Sequence, residues 1–92
     1  MSNPDDLKSA KNRLKRIEGQ IRGILNMLEE ERACEDLLVQ ISSAKSALHK
    51  TGQLILESHI KNCFLGSLQS GANEQEETKK LAAVIEQFSR IV

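Results

Sequence analysis

Three residues of this sequence have the types and spacing to do chemistry: Cys34, His59 and Cys63. His59 and Cys63 stand four apart in Glu57-Ser58-His59-Ile60-Lys61-Asn62-Cys63, so a helix presents both on one face about a turn apart. An imidazole beside a thiolate is half of a soft metal site. Cys34 precedes His59 by 25 residues with no proline between them. In one helix, at about 1.5 Å per residue, the two are roughly 37 Å apart. Cys34 then joins the others only if the helix folds back or a second chain supplies it. Two thiolates and an imidazole favour Cu(I) or Zn(II) over hard cations, and with a further nitrogen they could hold Ni(II). No third cysteine exists and the only other histidine is His49. A four-ligand zinc site within one chain therefore lacks donors, and a three-coordinate site fits Cu(I) best. The plain alternative is that Cys34 and Cys63 are small buried apolar residues and His59 a polar helix residue; composition alone does not separate the two.

The elements that must position these residues are helices. Pro4 suits a first turn, with Ser2 or Asn3 as cap and Asp5 and Asp6 favourable beside the helix N-terminus. Leu14, Ile17, Ile21, Ile24 and Leu28 then form one apolar stripe. A second segment is predicted from about Cys34 to Leu68, with Leu37, Ile41, Ala44, Leu48, Thr51 and Ile55 at helical spacing and Leu38, Leu56, Ile60 and Phe64 on a second face. Gly52 marks a bend or a close helix contact. Ser70-Gly71-Ala72 interrupts the pattern, Asn73 with Glu76 resembles a capping pair, and Leu81, Val84, Ile85, Phe88 and Ile91 make a short third helix. Alternating strand patterns are absent, so the fold class is all-α: a three-helix protomer in a single domain over residues 1–92. If Cys34 of one chain meets His59 and Cys63 of another, the long helices cross antiparallel about a two-fold axis near Ala47-Leu48.

With 92 residues, no Trp or Tyr and two Phe, the core is aliphatic and small, and association with a second copy would help stabilise it. No apolar run approaches the roughly 20 residues that span a bilayer, and no signal peptide is visible. A cytoplasmic protein is expected, in which two cysteines point to metal or redox chemistry before a structural disulfide. Thirteen basic and thirteen acidic residues cancel, but unevenly. Residues 8–22 carry +5 and residues 29–36 carry −4. At about 100° per residue Lys8, Lys11, Lys15 and Arg22 share one flank of the apolar stripe, and Arg13, Arg16 and Gln20 the other. Such a basic helix is either a solvated face or a seat for nucleic-acid phosphates. The scarcity of aromatic residues for stacking disfavours single strands, and no helix-turn-helix signature is present.

Lys11-Asn12-Arg13-Leu14-Lys15-Arg16-Ile17-Glu18-Gly19-Gln20-Ile21-Arg22-Gly23 resembles the first-helix signature of the copper-sensitive operon repressor family. Cys34-Glu35-Asp36-Leu37-Leu38-Val39-Gln40-Ile41-Ser42 and the segment Glu57–Cys63 resemble its two ligand segments. The resemblance implies a protomer with long first and second helices as an antiparallel hairpin, an antiparallel dimer and a dimer-of-dimers homotetramer. It also implies double-stranded operator DNA bound by the metal-free protein and released when the sensor site fills. In the copper-sensing branch a Cys of one protomer joins the His and Cys of the other, a set that Cys34, His59 and Cys63 match. Nickel and cobalt sensors resembling the family add a histidine near the N-terminus, and none precedes His49 here. Formaldehyde sensors usually lack the second Cys, and persulfide sensors lack the His. Ala33 stands where copper sensors often carry Tyr, and Glu76 or Glu77 is the candidate for their outer-sphere Glu on the third helix.

The expectation is thus a Cu(I)-responsive repressor. Cys34, His59 and Cys63 would hold the metal, and Lys11, Arg13, Lys15, Arg16, Arg22, Lys45 and Lys50 would meet DNA. One alternative is a thiol or persulfide sensor using Cys34 and Cys63; another is a different inducing metal such as Ni(II). A third, from another class, is a copper-buffering or helical interaction protein without DNA. An enzyme is least expected, since no nucleophile–base pair or phosphate loop is present.

Overall fold

The computed structural model describes the backbone of residues 4–70 and 74–91, with side chains for 4–62, 76 and 78–91. The chain forms α1 (Pro4–Glu29), α2 (Cys34–Ser70) and α3 (Glu74–Ser89), so the all-α, three-helix expectation holds. The capping roles expected of Ser2, Asn3 and Asn73, and the break at Gly71-Ala72, lie outside the described residues.

α1 opens on Pro4, whose missing N–H costs nothing at a first helical position, and Asp5 and Asp6 face the positive end of the helix dipole. It closes in a Schellman arrangement: the Arg32 N–H donates to the Met27 carbonyl at 3.0 Å and the Glu31 N–H to the Leu28 carbonyl at 3.2 Å. Glu31 takes the left-handed position with φ 55°, where glycine is the usual occupant because it has no Cβ to crowd the carbonyl. Glu31→Gly should therefore stabilise the fold by about 1 kcal/mol, raising the thermal midpoint by a few degrees in a melt followed by circular dichroism.

α2 starts directly after this turn and runs 37 residues without a break. Gly52 interrupts nothing. A Cβ built there would stand 3.3 Å from Ile91 Cδ1 and 3.6 Å from the Phe88 ring, so the glycine lets α3 approach α2 closely. The His49 and Phe88 rings stack at 5.3 Å beside it.

The three helices form one layer. α1 packs on one side of α2 and α3 on another, with no α1–α3 packing among the described residues. The molecule measures 58 × 25 × 13 Å, and its shortest dimension is about the thickness of a single helix. It exposes 7119 Å² of surface, where a compact monomer of this size exposes about 5,400 Å². Many large apolar residues are among those exposed. The buried side chains of the α1–α2 hairpin are small or slim: Ala10 and Ile17 of α1 and Ala44, Thr51 and Ser58 of α2. The larger Leu14, Ile21, Leu25 and Leu28 of α1 and Ile41, Leu48 and Ile55 of α2 stay exposed. At about 100° per residue they share one broad side of the hairpin. An apolar side this extensive on a one-layer protein is a surface built to be covered.

Candidate functional site

Cys34 is the first residue of α2 and a free, exposed thiol. The Ala33 carbonyl ahead of it accepts the Leu37 N–H at 3.2 Å, which fixes the first turn and with it the bearing of residue 34. His59 lies seven turns further along the same unbroken helix and is half-buried. Cys63 follows one turn after His59 on α2; its side chain lies outside the described part. At about 1.5 Å per residue, Cys34 and His59 stand roughly 37 Å apart. The helix does not fold back, and among the described residues no three His, Cys, Asp or Glu come together to hold a metal ion. One of the two routes left open by the sequence is thereby closed, and Cys34 can meet His59 only across two chains. Cys34 and His59 also lie on the same side of α2 as Ile41, Leu48 and Ile55, at about 100° per residue. Leu48, midway between them, is 44% exposed.

Glu76, on the first turn of α3, is exposed. The Glu77 side chain lies outside the described part.

The opposite broad side of the hairpin is polar. α1 and α2 enclose an open groove of about 850 Å³ rimmed by Lys8, Arg13, Arg16 and Lys50. Ser9, Asn12, Gln20, Ser43 and Ser46 line it as well, together with the carboxylate of Asp5 and the buried Ile17 and Thr51, and the Gln20 amide donates to Ser43 Oγ at 3.3 Å. Four cations against one carboxylate, with hydroxyl and amide donors beside them, leave the groove net positive and able to meet phosphate oxygens with both charge and hydrogen bonds.

The basic residues expected to meet nucleic acid are split by this geometry. Arg13, Arg16 and Lys50 line the groove. Lys11, Lys15 and Arg22 do not; they occupy the outer edge of α1, where Arg22 sits 3.8 Å from Glu18 in an exposed ion pair that contributes little. Lys45 lies two residues from Ser43, about 200° round α2, on the apolar side. Sequence reasoning grouped Lys8 with the outer edge and passed over Ser9, Asn12, Ser43 and Ser46. Their signal was a repeat of small polar residues at helical spacing on each helix, which converges only once the two helices are in register.

Two buried hydroxyls of α2 differ in how they are satisfied. Thr51 and Ser58 are both 1% exposed, but only Thr51 is satisfied, its Oγ1 donating to the Ala47 carbonyl at 2.8 Å. Ser58 Oγ and, one turn on, Asn62 Nδ2 are buried without a hydrogen-bond partner. Each such group costs about 1–3 kcal/mol.

Comparison with known proteins places this geometry. Residues 6–91 match the family described as metal-sensitive transcriptional repressor. The copper-sensing transcriptional repressor CsoR of Bacillus subtilis (strain 168) is 44% identical over 79 residues, 86% of this chain and 77% of the relative. The copper-sensing transcriptional repressor RicR of Mycobacterium tuberculosis is 38% identical over 80 residues, 87% of this chain and 81% of the relative. Among solved structures, the copper-sensing repressor CsoR with Cu(I) from Geobacillus thermodenitrificans NG80-2 superposes with a TM-score of 0.82 at 39% identity, covering 97% of this chain and 92% of that one. The nickel-responsive transcriptional regulator InrS superposes with a TM-score of 0.81 at 35% identity, covering 89% and 91%.

Proposed function

This chain belongs to the family of metal-sensitive transcriptional repressors, and we propose that it is the Cu(I)-responsive kind, releasing operator DNA when Cys34 of one protomer and His59 and Cys63 of another share a metal ion. The observation that carries the proposal is α2 itself: Cys34 and His59 sit on one side of an unbroken helix, with exposed Ile41, Leu48 and Ile55 between them. A second copy laid antiparallel on that side covers the apolar residues and brings each Cys34 to the other chain's His59 end. The two-fold axis falls near Ala47-Leu48, and the dimer carries two equivalent sites. Two such dimers form the tetramer, with residues 1–92 acting as one domain in each chain.

The donor set suits the metal. Two thiolates and an imidazole are soft ligands, and an exposed thiol opposite a half-buried imidazole leaves room for low coordination. Cu(I) would supply strong bonds to sulfur and nitrogen that tie two chains together. Glu76 on α3 is the candidate for an outer-sphere partner of His59. On the far side of the hairpin Arg13, Arg16 and Lys50, joined by Lys8, would meet DNA phosphates in the groove. Lys11, Lys15, Arg22 and Lys45 would add to the longer-range field that draws the duplex in.

The decisive experiment measures affinity of the reduced full-length protein for duplex DNA carrying its own promoter, alone and with Cu(I), Ni(II), Zn(II) or a persulfide donor. Release by Cu(I) is expected. Release by Ni(II) alone, the inducer named for the structural relative InrS, would replace the metal; release by a persulfide alone would make Cys34 and Cys63 a thiol sensor. The dimer has its own test. Leu48→Asp puts a charge at the crossing point, so sedimentation should show monomer at concentrations where the parent is associated, with the dimer weakened on the order of 100-fold or more.

A further inference from the structure

We propose that the protein holds two segments of duplex DNA at once, one in the groove of each protomer of a dimer, and so bridges them. The inference rests on the antiparallel dimer and the DNA-binding groove proposed above, and adds the number and direction of the duplexes held.

The direction follows from where α2 puts its two surfaces. Ser43, Ser46 and Lys50 line the groove, and at about 100° per residue they stand about 140–160° round the helix from Leu48. The exposed Ile41, Leu48 and Ile55 thus look one way and the groove nearly the opposite way. Position along the helix matters as much. The groove takes its α2 wall from Ser43 to Thr51, a stretch centred on Ala47, and the two-fold axis falls at Ala47-Leu48. Each groove therefore lies behind the crossing point, away from the ends where Cys34 and His59 meet. The axis runs between the stacked layers, so it carries one groove onto the outer face of each layer. Each groove is also complete by itself: Lys8, Arg13, Arg16 and Lys50 against Asp5 all come from one chain. Stacking two layers, each 13 Å thick, sets the grooves about 20 Å apart. To visit both, one duplex would have to turn round the α1 edge more sharply than the about 45° per helical turn of nucleosomal DNA. Two separate duplexes meet no such cost. Their mutual repulsion is small, since the Debye length is about 8 Å at about 0.15 M salt. On one long DNA molecule the second groove would act on a nearby site at raised effective concentration and close a loop.

The test fixes a biotinylated promoter duplex to beads and asks whether reduced, metal-free full-length protein makes them retain a second, fluorescent copy of that duplex. Anisotropy with the fluorescent duplex alone runs in parallel, so binding and bridging are read separately. Retention should rise with protein, pass through a maximum and fall once protein is in excess, because each duplex is then occupied on its own. Sedimentation with duplex in excess should show at least two duplexes per protein particle. Leu48→Asp, which separates the protomers but leaves each groove whole, should still raise the anisotropy while retention drops by about tenfold or more. A single duplex per particle at every excess, with a parental change in anisotropy, would overturn the bridge and leave the DNA reading standing. No anisotropy change in the parent would overturn the DNA reading and the bridge with it. Parental retention by a Leu48→Asp protein that sediments as monomer would overturn the assignment to this dimer. The stoichiometry of the parent decides the matter even where Leu48→Asp fails to fold.

Discussion

Mixing Cys34→Ala protein with His59→Ala protein should restore Cu(I) binding that neither variant has alone. Each variant by itself loses a direct ligand at every site, so its affinity should fall by more than the 10- to 100-fold that loss of an outer-sphere partner costs. In a mixed antiparallel dimer one site is rebuilt, from Cys34 of the His59→Ala chain with His59 and Cys63 of the Cys34→Ala chain. The other site lacks both residues. Random exchange gives mixed dimers about half the time, so about a quarter of the parental sites should return. A competition titration against a chromogenic Cu(I) chelator counts them. The result depends on α2 being straight: Cys34 and His59 lie on one helix of 37 residues, roughly 37 Å apart. A site within one chain would return nothing on mixing. Loss of binding in Cys34→Ala but not in His59→Ala would instead favour thiol chemistry between Cys34 and Cys63.

That one long helix carries both Cys34 and His59 was legible before any coordinates, because no proline interrupts residues 34–70 and the apolar spacing is helical; whether it bends at Gly52 or folds back was not. Which of its stripes faces α1 was not. Ile41, Leu48 and Ile55 and the neighbouring Ala44, Thr51 and Ser58 both repeat every seven residues. Hydrophobicity alone would send the larger set inward. The structure buries the smaller set, because two antiparallel helices approach most closely over small side chains. The large residues are left on the side where Cys34 and His59 also lie. In a one-layer molecule, inside for the protomer and inside for the assembly are different faces. The left-handed turn at Glu31 was equally hidden, since nothing about glutamate favours that conformation. The ligand residues could be found from spacing, because soft donors are rare in this composition. The groove could not, because serine, asparagine and lysine are common on any helix and only their register across α1 and α2 makes them a site.

That register underlies the second large effect. Arg13→Glu with Arg16→Glu should reduce affinity for promoter DNA on the order of 100-fold or more, while Lys11→Glu with Lys15→Glu, the same change in charge on the same helix, should cost markedly less. Both pairs alter the net charge equally, so a purely long-range attraction would treat them alike. The groove does not. Arg13 and Arg16 line it together with Lys50 from α2, and the hydroxyl and amide groups beside them can hold a phosphate in contact distance of the guanidinium groups. Lys11 and Lys15 occupy the outer edge of α1. Contact phosphates also leave a signature in salt. Neutralising Arg13 alone to Ala should lower the slope of log affinity against log salt by about one for each contact it makes, whereas Lys11→Ala should leave the slope nearly unchanged. Circular dichroism of the variants guards against a folding artefact, and Arg13 and Arg16 are exposed, so their replacement should leave the helices intact. Equal losses for the two pairs would move the DNA to the outer edge of α1. No loss for either would leave a protein that holds metal between its chains without reading DNA.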